Sequence, residues 1–287
     1  MREDILAIIK KMQINETTEH VIYTKLAKRT KGANGEVLAR IAGEEGQHAR
    51  IWGKYTGEMP RPAALKIWFY YILAMIFGLT FVINLMEMGE EEAQDTYKQI
   101  SEDVPEAIAI YKQEQEHEAA LIAMIDEERL RYIGSMVLGL NDALVELTGA
   151  LAGFTLALGS SATVGMAGFI TGSAATLSMA ASEYLSKKAD PGEKHPLKAA
   201  VYTGIAYMIT VFMLLLPYFI FSHPIVALVF CLFNAGLVIF IFTFFVSVVR
   251  KEPFKPAFLE MICISFSVAL VSFFIGWAAK AWLGIDA

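Results

Sequence analysis

Hydrophobic and polar positions divide the chain near residue 131. Beyond that point five long apolar runs follow one another, at about 133–158, 163–186, 199–221, 224–249 and 257–283, each close to the roughly 20 residues needed to cross a bilayer. Before it the pattern is amphipathic: charged and apolar residues alternate with helical spacing, and four helices are predicted, carrying NETTEHVIYTKLA, IAGEEGQHARIW, MEMGEEEAQDTYKQI and YKQEQEHEAALI. One segment fits neither description. Residues 63–86 (AALKIWFYYILAMIFGLTFVINLM) are apolar enough to form a sixth span. The predicted fold class is therefore all-α, with a soluble four-helix unit over 1–130 and a five-helix membrane unit over 131–287.

Charge sharpens the division. Residues 1–131 carry 16 of the 24 Lys and Arg and 22 of the 30 Asp and Glu; the remaining 156 residues carry only 8 of each. This excludes a single soluble domain, a disordered chain and a basic nucleic-acid binder. Lys187, Lys188, Lys194 and Lys198 follow the second run, Arg250, Lys251 and Lys255 follow the fourth, and Arg129 and Arg131 precede the first. With five spans all these clusters fall on one side, which the positive-inside rule makes cytoplasmic. The N-terminal unit is then expected in the cytoplasm and the C-terminus outside. MREDILAIIKKMQ lacks the apolar core of a secretory signal. Cys231 and Cys263 both lie in apolar runs, and there is no C-x-x-C, so a rubredoxin-type or zinc-finger site is not expected.

Two E-x-x-H motifs stand in the acidic half, Glu45/His48 and Glu114/His117. At i and i+3 on a helix, a carboxylate and an imidazole share one face. Two further segments carry a glutamate seven residues before a tyrosine, Glu16 with Tyr23 and Glu90 with Tyr97. The order Glu, ExxH, Glu, ExxH over four helices is the ligand pattern of carboxylate-bridged di-metal bundles, and oxygen-rich ligation with two imidazoles suits iron or manganese. Single ExxH motifs also arise by chance in Glu-rich helices; the ordered set of four is more specific. The tyrosines read equally as hydrogen-bond donors to ligands or as packing residues.

These stretches resemble the rubrerythrin and ferritin-like family over about residues 1–130. The resemblance implies a di-iron site, with manganese as the alternative, ligated by Glu16, Glu45, His48, Glu90, Glu114 and His117. Glu19, Glu44, Glu91 and His20 are neighbours that could add a ligand. Closing such a site within one chain requires residues 63–86 not to cross the membrane. The segment is then a crossover leading into the third bundle helix, buried against a partner subunit or lying on a membrane surface.

In the membrane half, ionisable groups within spans are costly and point to function. The first run holds Asp142 and Glu146 and the second Met179 and Glu183, each pair at i, i+4 on one face. Carboxylates beside a thioether suit Fe²⁺ or a similar cation, and an arriving cation would displace protons. Met179 also reads as packing, and Glu183, followed by Lys187 and Lys188, as snorkelling to the interface. GLNDALVELTGALAGF (139–154) and LSMAASEYLSKK (177–188) resemble the vacuolar iron transporter family, over about residues 132–287. That implies a homodimeric antiporter exchanging protons for Fe²⁺, or Mn²⁺, with Asp142, Glu146, Met179 and Glu183 on its pathway. The metal-binding insert that eukaryotic members carry between the second and third spans is replaced here by KKADPGEKHPLK. Fusion of the two modules resembles the membrane-bound ferritin-like branch, implying a multi-pass plasma-membrane iron exporter with no nucleic-acid partner. The alternative is a membrane-anchored di-iron ferroxidase or peroxidase. Gly149-x-x-x-Gly153 and Gly168-x-x-x-Gly172 would allow close helix packing.

Overall fold

The computed structural model describes residues 3–91, 97, 100–101, 103–123 and 132–283, without the side chains of 89–91, 122–123 and 283. Ten α-helices account for most of it, and they group into two compact units, residues 1–127 and 128–287.

The first unit contains α1 (Glu3–Ala27), α2 (Ala33–Thr56), α3 (Ala64–Phe77), α4 (Leu79–Glu91) and α5 (Glu106–Ala123). Spacing alternates between three and four along the buried face of α1: Ile5, Ile9, Met12, Glu16, Glu19, Tyr23 and Leu26. That is the stripe by which a helix packs on its neighbours, and glutamates occupy two of its seven positions. On α2 the buried positions Leu38, Ile41, Glu45, His48 and Trp52 form the matching stripe. On α5, Ala107, Ile110, His117 and Leu121 are buried, with Glu114 half-buried between them. Ile5, Ile9, Met12, Trp52, Tyr97, Ile100, Val104, Ala107 and Ile110 pack together as the apolar core at one end of these helices.

The segment 63–86 does not form a single helix. Gly78, at φ 95 and ψ 169, takes a conformation that only glycine adopts readily and separates α3 from α4. On α4, Phe81, Val82, Ile83 and Met86 are buried, whereas α3 has no buried residue.

The second unit contains α6 (Ile133–Leu158), α7 (Ser161–Ala189), α8 (Pro196–Ile220), α9 (Pro224–Arg250) and α10 (Phe254–Leu283). All five are long and apolar enough to cross a membrane. Helix α6 is central, packing against α7, α8, α9 and α10. Its contact with α10 is the closest: a Cβ built on Gly276 would lie 2.4 Å from the Gly153 carbonyl oxygen, so the backbones meet without side chains between them. Gly149 faces Val268 and Ser272 of α10, while Gly168 and Gly172 of α7 face Leu151, Leu147, Leu215 and Val211. Both glycine pairs therefore serve packing within the chain.

Candidate metal centre

Five side chains from three helices of the first unit converge: Glu16 from α1, Glu45 and His48 from α2, Glu114 and His117 from α5. Glu16, Glu45, His48 and Glu114 place one donor atom each within 4.8 Å of one another. Glu16, Glu45, His48 and His117 are at most 3% exposed. The two imidazole rings stack at 5.7 Å between centroids, and both Nδ1 atoms point among the carboxylates. His48 Nδ1 lies 2.9 Å from Glu114 Oε1, 3.4 Å from Glu16 Oε2 and 3.5 Å from Glu45 Oε2. His117 Nδ1 lies 3.1 Å from Glu45 Oε1 and 3.3 Å from Glu114 Oε2. Glu45 and Glu114 thus each turn one oxygen to each imidazole.

Surrounding groups fix these orientations. His48 Nε2 donates to Gln113 Oε1 at 2.8 Å, and His117 Nε2 donates to the Glu44 carboxylate at 2.7 Å. A hydrogen on each Nε2 turns Nδ1 toward the site, so that loss of the Nδ1 proton presents a lone pair there, the arrangement by which outer partners prepare imidazole for a metal. Arg40 in turn holds Glu44 at 2.8 Å. Trp52 Nε1 and the Tyr97 hydroxyl both donate to Glu16 Oε1 at 3.2 Å, which leaves Oε2 for the centre.

The electrostatics are those of buried acids and bases that set one another's charge. Burial raises the Glu45 carboxyl well above its ordinary range, and neighbouring Glu114 adds to this. Burial would lower His48 and His117, but the glutamate carboxylates packed against them outweigh it; His48 is raised far above its usual value and His117 to about 10. Glu114 is held below the usual carboxylate range because its contacts with His117 and His48 overcome burial. Even so, Glu16 Oε2, Glu45 Oε2, Glu114 Oε1 and both Nδ1 atoms are buried without a hydrogen-bond partner. Buried polar atoms are normally satisfied. Five orphaned donor atoms, all pointing inward and all of metal-ligating type, fit a bound cation.

Neighbouring candidates occupy distinct places. Glu19 is buried and accepts from Lys66 Nζ at 3.4 Å; burial lifts its carboxyl to about 7. His20 Nδ1 lies 2.5 Å from the Ala42 carbonyl, a backbone contact. The side chains of Glu90 and Glu91 lie outside the described residues. Tyr97 donates to Glu16, and the Tyr23 hydroxyl lies 3.5 Å from Glu87. Buried Glu87 lies outside the Glu-to-Tyr and ExxH spacings; its signal is a carboxylate in the buried α4 run Thr80, Ile83, Asn84, Glu87.

In the second unit, Asp142 and Glu146 are neighbours on α6, and the Tyr207 hydroxyl donates to Glu146 Oε2 at 3.1 Å. Asp142 is half-buried, and Glu146 is exposed on the surface of the single chain. Glu183 is buried and accepts from Ser135 Oγ at 2.5 Å, about two turns before Asp142 on α6. Met179 packs, partly buried, against the apolar core of this unit.

No curated protein and no solved structure matches the chain. Residues 133–191 and 188–277 match the family model described as the VIT family. That match covers half of the chain and includes Asp142, Glu146, Met179 and Glu183, and by it this multi-pass membrane protein belongs to the VIT family.

Proposed function

We propose that the protein exports Fe²⁺, and Mn²⁺ as a second substrate, from the cytosol in exchange for protons, and that its N-terminal unit, residues 1–127, binds the same metal before transport. The observation that carries this reading is the set of carboxylates within VIT-family spans: Asp142, Glu146 and Glu183 sit where ionisable groups are tolerated only for function. Membership of the family supports a divalent transition metal as cargo. Glu146 is exposed on a helix otherwise suited to apolar surroundings, which supports a second copy covering this face, as in a homodimer. The basic clusters between spans support a cytoplasmic N-terminal unit; the plasma membrane as its location rests on the resemblance to the membrane-bound ferritin-like branch.

In the N-terminal unit Glu16, Glu45, His48, Glu114 and His117 would hold the metal, with Glu90 as the sixth ligand on the resemblance to ferritin-like proteins. Glu45 and Glu114, each facing both imidazoles, suit a pair of iron ions. A bound iron pair would supply redox chemistry toward oxygen or peroxide. The residues of the chain itself orient the centre: Gln113 and Glu44 keep both imidazoles in the ligating tautomer, and Trp52 and Tyr97 fix Glu16. The same two-sided carboxylates favour a second reading, ferroxidase action by this unit, with the spans as exporter or anchor.

The test is transport by the purified full chain in liposomes, with Fe²⁺, Mn²⁺ and Zn²⁺ compared and lumenal pH followed by dye. Metal entry coupled to opposite proton movement is expected for Fe²⁺ and Mn²⁺. Metal consumption of oxygen without any flux would leave only the ferroxidase reading.

A further inference from the structure

Helix α3 differs from every other helix of the first unit. Leu65 is 85% exposed, Trp68 65%, Phe69 51%, Met75 52% and Ile76 60%. These positions, i, i+3, i+4, i+10 and i+11, fall along one stripe of the helix. A continuous exposed apolar stripe marks an interaction surface. The opposite side of α3 is anchored on the unit: the Ala63 amide donates to Thr18 Oγ1 at 3.0 Å, and Lys66 reaches Glu19 on α1.

The rim of this stripe is basic. Lys66 Nζ lies 5.8 Å from the Tyr70 ring centroid, Lys25 Nζ 5.5 Å and the Arg29 guanidinium 5.8 Å from that of Tyr71. Arg29 also donates to the Tyr71 hydroxyl at 3.1 Å. Arg61 precedes the helix, and Lys28 and Lys31 follow in the α1–α2 connection. From Met59 to Met86 there is no acidic residue, in a half of the chain that otherwise carries 22 acids.

We propose that α3 lies flat on the membrane surface, with Leu65, Trp68, Phe69, Met75 and Ile76 inserted at the headgroup–acyl boundary of an anionic leaflet and Lys25 and Arg29 meeting lipid phosphates. An apolar face with a basic rim is the composition of an interfacial helix, and Trp favours that depth. Fourteen residues reach about 21 Å, short of the roughly 30 Å hydrocarbon core, so α3 lies on the bilayer and does not cross it. Lipid is favoured over a second copy by charge: a symmetric contact through this stripe brings two identical basic rims together, whereas anionic headgroups complement them. Five spans in the same chain keep a bilayer within reach.

The test uses the full chain with Cys231→Ser and Cys263→Ser, carrying a nitroxide at Trp68→Cys, Met75→Cys or Ile108→Cys. Each is placed in nanodiscs of phosphatidylcholine, with or without phosphatidylglycerol. The ratio of oxygen to water-soluble nickel accessibility is expected to be several-fold higher at 68 and 75 than at exposed Ile108 on α5, and higher still with phosphatidylglycerol. Combined Lys25→Glu and Arg29→Glu should bring position 68 down to the Ile108 value. Equal ratios at all three sites, or no response to phosphatidylglycerol, overturn the proposal. So does spin–spin broadening at 68 that disappears on dilution with unlabelled chain, which would identify a second copy as the occupant. The lipid comparison needs no charge-reversed variant and decides the matter if that variant fails to fold.

Discussion

Glu45 turns its two oxygens to different imidazoles, Oε2 to His48 and Oε1 to His117, whereas Glu16 offers one oxygen to His48 and gives the other to Trp52 and Tyr97. The two glutamates are therefore not equivalent. Metal analysis of Mn²⁺-loaded protein should find about two ions per chain in the wild type, fewer than about one in Glu45→Ala, and an intermediate value in Glu16→Ala. The same residues set a pH dependence. Glutamate contacts outweigh burial and raise the pKa of both His48 and His117, which favours the protonated imidazoles when no metal competes. A metal needs the Nδ1 lone pairs, so binding expels those protons and affinity rises with pH. Each proton displaced contributes about a tenfold gain per pH unit; titration from pH 6 to 8 should show a steep fall in Kd, and buffers of different ionisation enthalpy should report proton release. A Kd independent of pH would mean that the imidazoles do not ligate.

At the scale of the helix, the centre exists because charged residues occupy core positions. Glu16 and Glu19 interrupt the apolar stripe of α1, and Glu45 with His48 that of α2. The ExxH spacing made four of the five converging side chains legible, because i and i+3 must share a helix face. Of the two readings of the tyrosines, Tyr97 takes that of a donor to a candidate ligand, and its partner Glu16 lies on another helix, which spacing along one helix does not reveal. The five apolar helices were read to within a few residues, because a bilayer demands long uninterrupted runs. Which glycines pack where needed the tertiary structure: Gly149 and Gly153 face α10, and their counterpart Gly276 lies outside both G-x-x-x-G motifs. Gly276→Ala puts a methyl 2.4 Å from the Gly153 carbonyl oxygen, so α6 and α10 must separate; a loss of about 1–3 kcal/mol is expected. Gly236→Ala meets nothing nearer than 4.0 Å and should be near neutral. Thermal unfolding in detergent, comparing the two variants, separates a packing role from a general intolerance of alanine.

For the whole molecule the question is whether its two donor sets act in series or independently. The N-terminal set is buried, prearranged by Gln113, Glu44, Trp52 and Tyr97, and suited to holding metal. In the membrane set Glu183 is buried, but Asp142 is half-buried and Glu146 exposed, bonded to Tyr207, which under the proposed function suits a cation that must leave again. Different roles predict separable losses. Asp142→Ala should abolish metal-driven proton movement in liposomes and leave the metal content of the N-terminal unit at the wild-type value. Glu45→Ala should empty that unit and leave proton-coupled flux measurable at saturating metal. If the unit delivers metal, Glu45→Ala slows flux several-fold at metal concentrations below saturation; if it restrains the transporter, the same variant accelerates flux there. Loss of both properties in both variants would mean that the two sets form one pathway, and the separation of binding from transport would have to be given up.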